Sequence, residues 1–100
     1  MVKSKITVLK QSINEDFAKK FTKEKVDLDP RNTEGQKCIS IDGEKSENFC
    51  SFAWRDIYNY CFALIFDGNF SMWMKEPRSV IICCTDGIKP DFYKIERIEE

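Results

Sequence analysis

The residues in this chain that could do chemistry are five cysteines, at positions 38, 50, 61, 83 and 84, in a sequence with no histidine. Without an imidazole, Ser–His and Cys–His catalysis are excluded, as is every His metal ligand. A thiol would then need Lys, Arg or a helix N-terminus to activate it. Cys83-Cys84 is the sharpest constellation. Adjacent residues on a strand point to opposite faces, so the pair cannot hold one metal without distortion. The simplest reading is two small apolar fillers, since free cysteine is among the most buried residue types. The alternative is a thiol-dependent enzyme or redox protein with Cys83 or Cys84 as nucleophile, and a metal site is a third reading. Cys50 falls beside a helix N-terminus, where the dipole favours an anion. It also lies on an apolar stripe, which makes it core filler. No C-x-x-C occurs, so no zinc ribbon or thioredoxin-type motif is present. The odd cysteine count, the apolar flanks and the lack of a visible signal sequence point to reduced thiols in a cytoplasm.

A second set is aromatic. Phe49, Trp54, Tyr58, Phe66, Phe70 and Trp73 could line a pocket, because ligand sites are mostly apolar with a few polar anchors. Asp56, Asn69, Lys75, Glu76, Thr85, Asp86 and Arg97 supply candidate anchors. The residues singled out for a small apolar ligand are Trp54, Tyr58, Phe70, Trp73 and Arg97. Phe70 and Trp73 are expected to close over a cavity roofed by a long helix, with Trp54 in its wall. The competing reading is that large aromatics fill a small core. The carboxylate pairs Glu15/Asp16, Asp86/Asp91 and Glu99/Glu100 read as solvated surface, as do the seven lysines of the first 25 residues. The glycines at 35, 43, 68 and 87 are isolated, so there is no phosphate-binding loop. No cofactor and no metal are implied.

The elements that must position these residues fit one domain spanning residues 1–100. Sixteen basic against 17 acidic residues give a net charge of −1, which lacks the basic footprint of a nucleic-acid binder. No apolar run approaches the roughly 20 residues of a membrane span. At 11.8 kDa, folding buries roughly 65% of the unfolded surface, enough for a modest core. Residues 1–48 carry only two aromatics and residues 49–100 carry eleven, so the second half dominates that core.

Val2 to Lys10 reads as a strand with Val2, Ser4, Ile6 and Val8 on one face. A short helix follows, with Ser12 and Glu15 at capping-box spacing, Asn14 as a rival cap, and Phe17, Ala18 and Phe21 as its stripe. A polar loop spans Thr22 to Glu34, through Asp29-Pro30-Arg31-Asn32. Gln36 to Ile41 reads as a strand stopped by Asp42-Gly43. The strongest pattern is a helix from about Phe49 to Phe66. Cys50, Ala53, Trp54, Ile57, Cys61, Leu64 and Ile65 share one face of a 3.6-residue period, and Gly68 is placed to be its C′ residue. Phe52, Tyr60 and Phe62 fall off that face, so cover from more than one side is expected. Ser79 to Thr85 is a strand whose unbroken run Val80-Ile81-Ile82-Cys83-Cys84 predicts burial of both faces. Asp86-Gly87 signals a hairpin, and a last strand runs from about Asp91 to Ile98, with Pro90 at its beginning or edge. The chain is therefore α+β, in the order β-α-β-α-β-β, with a small antiparallel or mixed sheet and one long helix packed on it.

Several strings also resemble a family of small prokaryotic proteins catalogued as an uncharacterised repeat. They are Phe49-Cys50, Ala53-Trp54-x-Asp56-Ile57-Tyr58, Gly68-Asn69-Phe70, Trp73-Met74-Lys75-Glu76-Pro77 and Cys83-Cys84-Thr85-Asp86-Gly87-x-x-Pro90. The segments Val2–Lys10 and Ile95–Ile98 fit as well. The resemblance spans nearly the whole chain and implies no activity. Members often carry Cys-Pro ahead of a Gly-Gln dipeptide; here Asp29-Pro30 precedes Gly35-Gln36, which weakens any metal or disulfide needing that cysteine.

These readings converge on a small cytoplasmic module that associates with itself, most simply as a homodimer, and binds a small apolar molecule in an aromatic pocket. Neither nucleic acid nor membrane is an expected partner. The dimer expectation rests on the doubly apolar strand and the aromatics outside the helix stripe, which 100 residues are too few to cover.

Overall fold

A computed structural model describes residues 3–28, 33–47 and 49–98 of the chain. The start of the first strand at Val2, the turn Asp29-Pro30-Arg31-Asn32 and the Glu99/Glu100 pair lie outside the described residues. The elements are β1 (Lys3–Gln11), α1 (Glu15–Phe21), β2 (Lys37–Ile41), α2 (Ser51–Ile65), β3 (Ser79–Cys83) and β4 (Asp91–Ile98). The fold is α+β. Its four strands form one sheet in the spatial order β2-β1-β4-β3, and every pairing is antiparallel, so the sheet is not mixed.

Period-2 alternation in β1 is what allows it to sit centrally. Ser4, Ile6 and Val8 are buried toward the helix layer while Lys3, Lys5 and Thr7 face away. Ile6 lies opposite Ile95 and Val8 opposite Tyr93, so the two central strands present one apolar row. A bulge between Val8 and Lys10 takes Leu9 out of the ladder and leaves it exposed. α2 lies on this face through Ala53, Ile57, Cys61 and Leu64, all buried. Burying an Ile or Leu side chain of this kind is worth about 1.5–3 kcal/mol. The opposite face of the sheet is open. Lys5 pairs with Glu96 (3.4 Å), and Lys94 lies between Glu76 (3.6 Å) and Glu96 (3.8 Å).

Several expectations are corrected. α2 begins at Ser51 with Cys50 as N-cap and ends at Ile65 with Phe66 as C-cap. The left-handed C′ position belongs to Asp67 (φ 73°), and Gly68 is C″. Its N–H reaches back to the Ala63 carbonyl (2.7 Å) and that of Asp67 to Leu64 (3.2 Å), a Schellman pair. Gly68 is required by contact rather than by φ, because a Cβ there would lie 2.5 Å from the Ala63 carbonyl oxygen. The stop at Asp42-Gly43 is a turn with both residues left-handed (φ 53° and 82°), the backbone such dipeptides tolerate.

The α1 capping box does not form. Asn14 is the N-cap but makes no side-chain cap bond; its amide donates to the Gly87 carbonyl (2.6 Å), and the Ser12 hydroxyl donates to the Pro90 carbonyl (2.9 Å). Only Ala18 of the α1 stripe is buried, and Phe17 and Phe21 are exposed. β3 ends at Cys83 rather than Thr85, and its two faces are not both buried. It is the sheet's edge, with Val80 buried and Ile81 44% exposed on the open face. The apolar run reflected an edge strand with one naked face, not a central strand. Asp86-Gly87 does not make a two-residue hairpin either; residues 84–90 form the connection. The Asp86 carboxylate there accepts from the N–H groups of Ile88 (2.9 Å) and Lys89 (3.2 Å), a side-chain turn. No helix among the described residues is long and apolar enough to cross a membrane.

Candidate ligand cleft and thiol site

The five residues singled out for an aromatic pocket are not brought around one cavity. Trp54 and Tyr58 stack along one flank of α2 (6.3 Å between rings), and the series continues through Phe62 (5.9 Å) to Phe66 (6.3 Å) at every fourth residue. Phe70 packs with Tyr60 (6.3 Å) and Trp73 (5.4 Å) as a separate group. Trp73 is 67% exposed and packs edge-on against Phe70. Trp73→Ala is therefore expected to cost about 1 kcal/mol, the size of one aromatic edge contact, against about 3–5 kcal/mol for a core Trp. A urea melt separates the two. α2 has cover beyond the sheet at Tyr60, which packs on Phe70, while Phe52 and Phe66 are largely exposed.

Arg97 stands at the C-terminal end of α2. Its guanidinium donates to the carbonyls of Leu64 (2.6 Å) and Ile65 (3.2 Å) and lies 3.8 Å from the Asp67 carboxylate. It satisfies the last turn of α2 from β4, where a cation complements the helix dipole.

A cleft of about 490 Å³ opens instead at the N-terminal end of α2, between that helix and the loop joining β3 to β4. Its apolar wall is Cys50, Phe52, Ala53, Cys84 and Tyr93, and its polar wall is Arg55, Asp56, Thr85, Asp86, Lys89 and Asp91. The volume lies within the usual range for small-molecule sites, about 300–1,000 Å³.

The loop is tied on two sides. The Asp56 carboxylate on α2 accepts from the Thr85 N–H (2.9 Å) and hydroxyl (3.0 Å). From the other side, Ser12 and Asn14 hold the carbonyls of Pro90 and Gly87, and the Asn14 N–H donates to Ile88 (2.7 Å). Cys84, Thr85, Asp86 and Lys89 of this loop line the cleft.

The two vicinal thiols separate as the pleat requires. Cys83 is exposed at the end of β3. Cys84 packs against the core, lines the cleft and accepts a hydrogen bond at sulfur from the Asp91 N–H (3.3 Å). Cys61 and Cys38 are unsuited to nucleophilic work. Burial pushes Cys61 up to about 12, only partly opposed by the Ser4 hydroxyl beside it. Burial raises Cys38 as well, against a side-chain hydrogen bond with Ser46. None of the five cysteines forms a disulfide, and no cluster of three metal-ligating side chains occurs among the described residues.

Of the cleft residues, Asp56, Thr85 and Asp86 were legible as polar anchors and Cys84 as a candidate thiol. Arg55, Lys89 and Phe52 carried no signal, because nothing local says that one turn of α2 will face the β3–β4 loop.

Fold and cleft together define a small α+β protein with a preformed, mixed-polarity cleft. No family model matches the chain, and no curated protein or solved structure matches it.

Proposed function

We propose that this chain is a small cytoplasmic module that associates with itself and holds a small, mainly apolar molecule with a polar end in the cleft at the start of α2. The observation carrying the ligand reading is the cleft itself. Phe52, Ala53 and Tyr93 offer apolar contact, and Arg55 and Lys89 offer cations on a wall whose Asp56 and Asp86 carboxylates are engaged with backbone. Self-association is supported by the exposed aromatic flank of α2 and the apolar edge strand β3. The thiol-dependent reading survives in one form, with Cys84 rather than Cys83 as the reacting group, because Cys84 is the one of the two that lines a cleft.

An anionic apolar probe, anilinonaphthalene sulfonate, tests the ligand reading with the two vicinal thiols as reporters. Native-state alkylation with N-ethylmaleimide is followed by peptide mass mapping with and without the probe. Bound probe is expected to slow labelling of Cys84 severalfold and leave Cys83 unchanged. Probe binding without protection of Cys84, or no binding, removes the cleft as a ligand site. Labelling of Cys84 that is undetectable even without probe removes the thiol reading.

A further inference from the structure

We propose that β3 pairs edge to edge with β3 of a second copy of this chain, antiparallel about a two-fold axis at Ile82, extending the sheet from four strands to eight. The proposal rests on the self-association reading and names its surface and register.

The hydrogen-bond pattern fixes which groups of β3 point outward. The Cys84 N–H donates to the Asp91 carbonyl (3.1 Å) and the Arg97 N–H to the Arg78 carbonyl (3.0 Å). Residues 78 and 84 thus face β4, and by alternation so do 80 and 82. Residues 79, 81 and 83 face out. The Ser79 N–H is taken by Glu76 (3.1 Å). Among the described residues, no hydrogen bond reaches the N–H or C=O of Ile81 or Cys83 on that side. The strand reads Ser-Val-Ile-Ile-Cys, with none of the charges, prolines or bulges that blunt a natural edge.

The other edge of the sheet is managed differently. In β2 the outward carbonyl of Ile41 accepts from the Glu44 N–H (3.0 Å) and that of Ile39 from the Ser46 hydroxyl. The chain folds back so that residues 44 and 46 take two outward carbonyls of that edge. On β3, among the described residues, neither carbonyl of the outward pair Ile81 and Cys83 is taken in this way.

The β3 edge is complementary to itself. With the axis at Ile82, Ile81 of one copy and Cys83 of the other form a hydrogen-bonded pair, twice by symmetry. Four bonds then use every outward group of Ile81 and Cys83 in both copies. The two Ile82 side chains meet at the closer, non-hydrogen-bonded spacing, about 4.5 Å between Cα atoms. In this register every outward backbone group of Ile81 and Cys83 finds a partner on the same strand of a second copy, so a second copy is the occupant these features favour.

Light scattering and sedimentation on the full chain at micromolar concentrations test this. The parent is expected to be a dimer. Ile81→Pro removes an outward donor without breaking a bond to β4, and Ile81→Lys places a charge beside the edge; both are expected to be monomers. Phe66→Ser, on the aromatic flank, is expected to remain dimeric. Amide exchange gives a readout that needs no variant: the N–H groups of Ile81 and Cys83 should lose protection on dilution while those of Val80 and Ile82 keep it. A monomeric parent overturns self-association itself. A dimeric parent whose Ile81 and Cys83 amides exchange independently of concentration, or whose Ile81→Lys variant stays dimeric, overturns the edge and leaves self-association standing.

Discussion

Above pH 9, folding stability is expected to fall in a way that Cys61→Ala abolishes. The Cys61 side chain is fully buried against the sheet, and burial moves its thiol from the ordinary 9.0 to about 12. Below pH 9 the folded and unfolded chains both keep the proton and no stability is lost at this group. Between 9 and 12 the unfolded chain releases it and the folded chain does not. The native state then binds more protons, so stability declines as pH rises. The slope approaches about 1.4 kcal/mol per pH unit and the total about 4 kcal/mol. The readout is the difference between parent and Cys61→Ala in urea melts, in which every contribution the two chains share cancels. That difference should be flat from pH 7 to 9 and narrow steadily above. Parallel curves to pH 11 would show that the thiol ionises equally in both states.

Arg97→Ala is expected to cost about 3 kcal/mol although it removes no apolar side chain from the core. The guanidinium, 12% exposed, ties β4 to the last turn of α2 through the Leu64 and Ile65 carbonyls. Hydrogen bonds to charged groups contribute about 1.5–3 kcal/mol, and truncation leaves carbonyls without a donor. Arg97→Lys should recover part of the loss, because it keeps the charge at the helix C-terminus but not the fork. Denaturant melts followed by circular dichroism measure both. Neither variant should alter probe protection of Cys84, since the cleft lies at the other end of α2. A loss under 1 kcal/mol for Arg97→Ala would mean that Arg78, which reaches the Gly68 carbonyl (3.1 Å) and Asp67 (2.6 Å), holds this helix end alone.

Both residues show what local pattern can and cannot reveal. Cys61 is legible as core because it shares one 3.6-period face of α2 with Ala53, Ile57 and Leu64. β1 is legible because Ser4, Ile6 and Val8 alternate with Lys3, Lys5 and Thr7. Burial periodicity reports which side chains avoid water, but not which strand lies at the margin of a sheet. Burial of both faces of β3 was expected for that reason: its apolar run fits a strand covered on two sides as well as an unguarded edge, and the choice depends on β1 pairing with β4. The partners of Arg97 were not legible for a related reason. A cation's partner across 33 residues of chain is set by packing of helix on sheet, which has no local signature. The aromatics were visible as a set, but positions 54, 58, 62 and 66 share one helix flank, a spacing that makes a ladder rather than the walls of a cavity.

The sheet's central seam joins the first strand to the last. β1 runs beside β4 from Lys3 opposite Ile98 to Gln11 opposite Asp91, while β2 and β3 attach on either side. During synthesis, Ile6 and Val8 must wait without their neighbours Ile95 and Tyr93 until most of the chain has been made. Closing so long a loop is entropically costly before any contact rewards it. The sheet therefore assembles late and all together. Until β4 is in place, α2 has no continuous surface to lie on, and the loop that walls the cleft has nothing to tie it to Ser12 and Asn14.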